Sequence, residues 1–127
     1  MLCDFFLQYS RFEVSISQDT VVSETNIARF EKVLLRLKTQ EPIQYILGTT
    51  EFYGLTFKVN KHTLIPRPET EELVDWVLSN LHDKDRMLEI LDIGTGSGCI
   101  AISLAKNIPT ARVSGLDISE KTLEVAQ

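Results

Sequence analysis

The sequence predicts an α/β protein whose second half begins a parallel sheet. The apolar run MLEILDI, at residues 87–93, is followed by the glycine-rich loop GTGSG and by a helical segment from about Cys99 to Asn107. A second run, ARVSGL at 111–116, ends at Asp117, and Ser119 can cap a further helix. This order is a βαβ unit, so we expect adjacent parallel strands with a right-handed crossover. We also expect the first strand to be buried on both faces.

Composition and charge narrow the classes of function. The chain has 127 residues, 43% of them hydrophobic and 24% charged, which is typical of a globular domain. Its net charge of −5 argues against direct binding of nucleic acid, which needs a basic face. There is no run of about 18 apolar residues, so we expect no membrane-spanning helix. The distant cysteines Cys3 and Cys99 suit a reducing, cytoplasmic location better than a disulfide framework.

The first forty residues predict helices. Residues 2–9 have a short helical pattern, and residues 10–23 read as a polar connection. From Glu24 to Lys38, apolar side chains recur at three- and four-residue spacing, with Ser23 as the predicted N-cap. We expect this stripe to pack against neighbouring helices; its members are Ile27, Phe30, Val33, Leu34 and Leu37.

The middle of the chain predicts a β-hairpin and a helix. Residues 43–60 change to a strand-like pattern, with a turn at Tyr53-Gly54. Pro68 suits the first position of the next helix, and acidic residues follow at its positive end. We expect Trp76 to pack on this helix, whose buried face comprises Leu73, Val74, Val77, Leu78 and Leu81. Residues 82–85 read as a polar link.

The loop LDIGTGSG, at residues 91–98, carries the chemical information. A phosphate-binding P-loop is nearly excluded, because Cys99 stands where a lysine is needed. A dinucleotide site prefers G-x-G-x-x-G, whereas here the third glycine comes one residue early, at Gly98. S-adenosylmethionine fits better, because it carries cationic groups and no phosphate and so tolerates Asp92. The fourth interpretation is structural, with glycines for packing and Asp117 as a helix cap.

The sequence also resembles a known family. The segments EPIQYILG (41–48), EFYGLTF (51–57), LIPRPETE (64–71) and LDIGTGSGCIAI (91–102) are similar, in this order and spacing, to those of HemK/PrmC-type protein-(glutamine-N5) methyltransferases. The resemblance implies a partial helical N-terminal domain over 1–40, a β-hairpin connector over 41–66 and the start of a Rossmann-like methyltransferase domain over 67–127. It also implies S-adenosylmethionine as the cofactor and, as substrate, a glutamine in the Gly-Gly-Gln motif of a peptide-chain release factor.

The resemblance assigns expected roles to individual residues. Gly94, Thr95, Gly96, Ser97 and Gly98 would lie along the methionine part of the cofactor. Asp117 would hold the ribose hydroxyls, and Ile118 would flank the adenine. The segment 66–71 would border the same pocket. We expect no metal site, because His62 and His82 lack partners at metal-ligand spacing.

One departure from the family is large. Its Asn-Pro-Pro-Tyr motif, which orients the acceptor amide, is absent from these 127 residues. We therefore expect a fragment of the enzyme that is inactive alone, has no catalytic residue of its own, binds cofactor weakly or not at all, and self-associates through its unpaired strands. Two alternatives remain open: a methyltransferase for another amide or amine, and a non-catalytic interaction module.

Overall fold

The computed structural model describes residues 2–7, 9–16, 21–81 and 87–127. They form two compact units, Met1–Ile46 and Leu47–Gln127, and each unit is considered by itself. No helix within these ranges combines the length and the apolar character that a membrane crossing requires.

The first unit is helical. Its helices are α1 (Leu2–Leu7), α2 (Arg11–Ile16), α3 (Glu24–Lys38) and α4 (Ile43–Leu47), the last of which reaches the start of the second unit. The prediction of a polar connection over 10–23 is wrong where α2 forms. Ser10 and Glu13 make a reciprocal capping box, because each side chain accepts a hydrogen bond from the other's backbone N–H, at 3.2 and 2.8 Å. Residues 17–20 of that predicted connection lie outside the described residues.

Helix α3 has the predicted bounds and cap. The Ser23 hydroxyl accepts from the Asn26 N–H, and the helix ends before Thr39. The predicted packing of its apolar stripe is confirmed only in part, because Val33 is buried whereas Ile27 and Leu34 are about half exposed. The six-residue α1 is too short to cover the stripe, although its Phe6 ring packs 5.3 Å from that of Phe30.

The second unit opens with the predicted hairpin. Strands β1 (Thr49–Phe52) and β2 (Leu55–Lys58) pair antiparallel around Tyr53 and Gly54. Both turn residues have positive φ, 49° and 69°, as a two-residue turn of type I′ requires. The strand-like pattern read from residue 43 onwards is wrong for α4, which begins after Pro42 because the fixed φ of proline suits a helix start.

Helix α5 (Glu69–Asn80) begins one residue after its predicted start, with Pro68 at the N-cap. Of the predicted buried face, Val74 is fully buried, and Val77, Leu78 and Leu81 are partly buried against the core. The prediction that Leu73 is buried is wrong, because its side chain is 46% exposed. Trp76, expected to pack, is 64% exposed, so that prediction is also wrong; it lies on the side of the helix away from Val74. The predicted polar link 82–85 lies outside the described residues.

The predicted βαβ unit is present. Strands β3 (Glu89–Ile93) and β4 (Arg112–Leu116) are parallel and adjacent, with α6 (Cys99–Asn107) between them in sequence and α7 (Glu120–Ala126) after them. The hairpin, α5 and α6 share one apolar core, formed by Phe52, Phe57, Val74, Cys99, Leu104 and Ile108. This order of elements confirms the α/β class.

The sheet is covered on one face only. Ile90 of β3 packs on the core that α6 joins, whereas Leu91 and Ile93 are 59% and 74% exposed. The prediction of a strand buried on both faces is therefore wrong for the described residues, because no described helix packs on the second face.

Candidate cofactor site

The glycine-rich loop is fastened to the end of the neighbouring strand. The backbone N–H groups of Gly94 and Thr95 both donate to the carbonyl of Leu116, at 2.7 and 2.9 Å. Gly94, Gly96 and Gly98 all have positive φ, between 59° and 78°, which residues with a Cβ rarely adopt. The loop therefore turns tightly at the carboxyl ends of β3 and β4, the edge where open α/β sheets bind ligands.

The three glycines differ in their surroundings. A Cβ at Gly94 would meet nothing within 4 Å, and one at Gly96 would meet only the Gly94 carbonyl oxygen at 3.9 Å. A Cβ at Gly98 would lie 3.1 Å from Ile102 and 3.5 Å from Ala126. The first two glycines thus leave open space over the backbone, where a ligand can approach closely, and the third allows the helices to pack.

Asp92 and Asp117 contact neighbouring residues of this loop. The Thr95 hydroxyl donates to Asp92 Oδ2 at 2.8 Å, and the Gly96 N–H donates to Asp117 Oδ2 at 3.0 Å. The structure therefore brings both carboxylates to the same loop. This arrangement agrees with a single site at the edge of the sheet.

Asp117 is held as a carboxylate. Its Oδ1 accepts from the Ser119 N–H at 3.0 Å, while Oδ2 accepts from Gly96. These two backbone hydrogen bonds lower the pKa of Asp117 below its ordinary value of 3.8. Each oxygen of an ionised carboxylate has two lone pairs, so Asp117 retains acceptor capacity for a pair of ribose hydroxyls.

The remaining predicted site residues lie in different environments. Ile118 is fully exposed and lies next to Asp117 in the sequence, so its side chain is accessible to a ligand. Ser97 is buried and lines a groove of about 310 Å³ between β2, α6 and α7. No described contact joins Ser97 to either carboxylate.

Cys99 is a packing residue. Its side chain is buried in the core, and burial raises the pKa of its thiol. A neutral thiol is a poor nucleophile, so we assign it no chemical role. Within the described ranges no three His, Cys, Asp or Glu side chains are grouped as a metal ion would need; His82 lies outside those ranges.

The chemistry of the loop suits a nucleoside without phosphates. Residues 91–99 and 115–119 contain no lysine or arginine to bind phosphate, and they carry the two carboxylates. The negative charge of these carboxylates disfavours a pyrophosphate, whereas it suits a ligand with cationic groups and ribose hydroxyls. The residues present therefore fit S-adenosylmethionine.

Sequence reasoning missed two contacts in this unit, one made at Gly115 and one by Thr122. Gly115 allows Thr95 to approach β4, because a Cβ at Gly115 would lie 2.9 Å from the Thr95 hydroxyl oxygen. A glycine inside a strand is a signal of such close approach. Thr122 is buried and bonds the carbonyl of His62, a link between distant residues for which the sequence holds no signal.

Comparison with known proteins gives two family matches and many relatives. Residues 1–48 match a family described as the PrmC N-terminal domain, and residues 90–127 match a methyltransferase domain. The chain is 54% identical, over its full length, to a release factor glutamine methyltransferase of Flavobacterium psychrophilum, of which it covers 45%. It is 45% identical, again over its full length, to the protein of the same name from Bacteroides thetaiotaomicron, of which it also covers 45%.

A third relative is a release factor glutamine methyltransferase of Streptococcus pneumoniae. The identity is 42% over 95% of this chain, and the match covers 42% of that relative. The chain thus spans less than half the length of these curated relatives.

Proposed function

This chain belongs to the HemK/PrmC-type family of protein-glutamine methyltransferases, and on that premise we propose that it forms the cofactor-binding part of an enzyme that methylates a glutamine side chain. The methyl donor is S-adenosylmethionine and the acceptor is the glutamine of the Gly-Gly-Gln motif in a peptide-chain release factor. Such a substrate belongs to translation, so we place the protein in the cytoplasm.

The observation that carries the proposal is the geometry around Asp117. Its carboxylate is ionised, anchored by two backbone N–H groups and adjacent to the open backbone of Gly94 and Gly96. In this arrangement Asp117 accepts hydrogen bonds from the ribose hydroxyls, Ile118 lies beside the adenine, and the loop 94–98 follows the methionine part of the cofactor. Asp92, bonded to Thr95, adds negative charge near a cationic ligand.

The reaction needs more than a bound cofactor. S-adenosylmethionine supplies a methyl group activated by its sulfonium. An amide nitrogen is a weak nucleophile, because its lone pair is delocalised into the carbonyl. Methyl transfer therefore depends on groups that align the amide with the methyl group. The family's Asn-Pro-Pro-Tyr motif has that role, and it does not occur in these 127 residues. The residues of this chain hold the donor in place.

A chimera tests the proposal. In the Flavobacterium psychrophilum relative, the segment that matches this chain is replaced by the 127 residues, and methylation of a release factor is measured with labelled S-adenosylmethionine. We expect an active chimera. Asp117→Asn should lower kcat/KM by roughly 10- to 100-fold through weaker cofactor binding, because an amide cannot supply the charge or all the acceptor sites.

Glu120→Gln is the matched control, because it also removes one negative charge. Glu120 lies exposed in the first turn of α7. A folded chimera that binds S-adenosylmethionine but methylates a small molecule instead of the release factor would favour the alternative methyltransferase. A folded chimera that binds no cofactor would favour the interaction module and overturn the proposal.

A further inference from the structure

A continuous series of hydrogen bonds leads from the glycine-rich loop to a distant turn. Gly96 N–H and Ser119 N–H both donate to the carboxylate of Asp117, at 3.0 Å each. The Ser119 hydroxyl accepts from Thr122 N–H at 3.3 Å. The Thr122 hydroxyl then donates to the carbonyl of His62 at 2.7 Å. The cofactor loop and the turn at His62 are therefore connected through the first turn of α7.

Thr122 is the central residue of this connection. Its side chain is only 4% exposed, and its partner lies 60 residues away in sequence. Leaving a buried hydroxyl without a hydrogen-bond partner costs more free energy than leaving an exposed one. The hydrogen bond from Thr122 to His62 is therefore strongly favoured once the unit has folded. Valine has nearly the same shape as threonine and lacks the hydroxyl, so it removes the hydrogen bond with little change in volume.

The turn that receives this hydrogen bond is itself rigid. Asn60 N–H donates to the Thr63 hydroxyl at 3.1 Å, and His62 N–H donates to Asn60 Oδ1 at 2.8 Å. Thr63 N–H donates to the Asn60 carbonyl at 3.0 Å, and Thr63 is buried. Holding His62 therefore holds the whole turn 60–63.

The segment LIPRPETE, residues 64–71, leaves directly from this turn. Its other end is also fixed, because Glu71 Oε1 accepts from Tyr53 N–H at 2.8 Å. The segment is therefore anchored at one end through α7 and at the other through the hairpin. An anchored segment is already ordered in the free protein. A ligand that binds next to it therefore loses no affinity to the conformational entropy of ordering it.

We infer that Thr122 is a positioning residue of the proposed cofactor site, which couples the ribose-binding carboxylate of Asp117 to the segment 64–71 through His62. The inference rests on the proposed function. Thr122 touches neither cofactor nor substrate in this role; it fixes the direction in which segment 64–71 leaves the turn.

The test compares two substitutions in the chimera described above. Thr122→Val removes the hydroxyl, and Thr122→Ser keeps it. We expect Thr122→Val to weaken binding of S-adenosylhomocysteine, measured by calorimetry, by roughly fivefold or more, the range of typical coupling between sites. Thr122→Ser should bind nearly as well as the unsubstituted chimera. Thr56→Val, at an exposed threonine of β2, is the control for the substitution itself.

Hydrogen exchange gives a second measurement that needs no substitution. The amides of Asn60, His62 and Thr63 are all bonded within the turn. If the turn and the cofactor carboxylate are coupled, saturation with S-adenosylhomocysteine should slow exchange at these three amides. This readout remains informative even if Thr122→Val does not fold.

The outcomes separate this inference from the proposed function. If the unsubstituted chimera folds but binds no S-adenosylhomocysteine, the proposed function fails, and the inference fails with it. If the chimera binds the ligand while Thr122→Val binds it equally well, the inference alone is overturned. Unchanged exchange at the turn upon saturation likewise overturns the inference alone. Weaker binding by Thr122→Val, recovery in Thr122→Ser and slowed exchange together support it.

Discussion

Gly115 shows how the absence of one side chain shapes the glycine-rich loop 94–98. A Cβ at this position would lie 2.9 Å from Thr95 Oγ1, closer than real Cβ contacts, and 3.0 Å from Thr95 Cγ2, tighter than nearly all of them. Thr95 uses that space to reach Asp92 with its hydroxyl. Gly115 therefore supports the loop by allowing close packing in β4.

We predict that Gly115→Ala destabilises the protein by about 1–3 kcal/mol, the usual cost of overpacking. The new methyl group displaces Thr95 and lengthens its hydrogen bond to Asp92. Urea denaturation measures the loss, with Ser114→Ala on the same strand as the control. An unfolding free energy equal to that of the control would contradict the close approach.

We predict that the stability of the protein depends on pH through the ionisation of Asp117. Its folded-state pKa lies below 3.8, because the N–H groups of Ser119 and Gly96 favour the charged form. The unfolded chain binds this proton more tightly, so ionised Asp117 stabilises the fold above about pH 4, and the contribution is lost as pH falls through the lowered pKa.

The measurement is urea unfolding of the native chain and of Asp117→Asn near pH 7 and near pH 3. The difference in unfolding free energy between the two proteins should shrink at the lower pH. A difference that is constant over this range would show that the carboxylate does not gain these hydrogen bonds on folding. Glu120→Gln again controls for the removal of one charge from this part of the chain.

Among the elements, the hairpin and α5 are held together by two side chains of the helix. Glu71 Oε1 accepts from Tyr53 N–H at 2.8 Å, and the Tyr53 hydroxyl donates to Asp75 Oδ1 at 2.5 Å. Tyr53 has a φ of 49°, which is unfavourable for a residue with a large side chain. The carboxylates of α5 compensate for this strain and fix the hairpin against the helix.

We predict that Glu71→Ala destabilises the second unit by about 1–3 kcal/mol, because it removes a charged acceptor from a backbone N–H. Glu72→Ala, at an exposed position one residue further along α5, should cost far less. Thermal unfolding compares the two, and hydrogen exchange at the Tyr53 amide reports on the link directly. Equal costs for both substitutions would argue that Glu71 is only a surface residue.

Over the whole molecule, the most unusual feature is the bare face of the β3–β4 sheet. Leu91, Ile93 and Leu116 are each more than half exposed there, although parallel sheets are normally covered on both faces. The same two strands have unpaired outer edges in the described residues. An apolar face and open strand edges both favour association.

We predict that the 127-residue chain self-associates at high concentration, and that Leu91→Lys or Ile93→Lys reduces this association. Each substitution places a charge on the bare face. Val21→Lys, at an exposed apolar residue of the first unit, controls for the added charge. Sedimentation velocity measures the mass distribution, and a stable monomer at every concentration would refute the prediction.

The same chain should not methylate a release factor by itself. It contains the loop and the carboxylate that we assign to the cofactor, but not the family's motif that orients the amide. Incubation of the purified chain with labelled S-adenosylmethionine and a release factor tests this, with the chimera as the positive control. Transfer of label by the chain alone would show that other residues align the acceptor.

The sequence by itself determined the local features. The caps at Ser23 and Ser119, the turn at Tyr53-Gly54 and the order of the βαβ unit were all readable, because hydrogen bonding within a few residues decides them. The capping box of Ser10 and Glu13 is also a local feature, but the polar composition of residues 10–23 predicted a connection there instead. The division into 1–40, 41–66 and 67–127 and the roles of the site residues stay predictions.

Only the tertiary structure decided which apolar residues are buried and which distant groups meet. The exposure of Leu91 and Trp76 depends on whether another element packs on them, which no local pattern encodes. The same holds for the approach of Thr95 to Gly115 and for the hydrogen bond from Thr122 to His62. Local geometry follows from short-range sterics and hydrogen bonds, whereas burial and long-range contacts follow from how the elements pack.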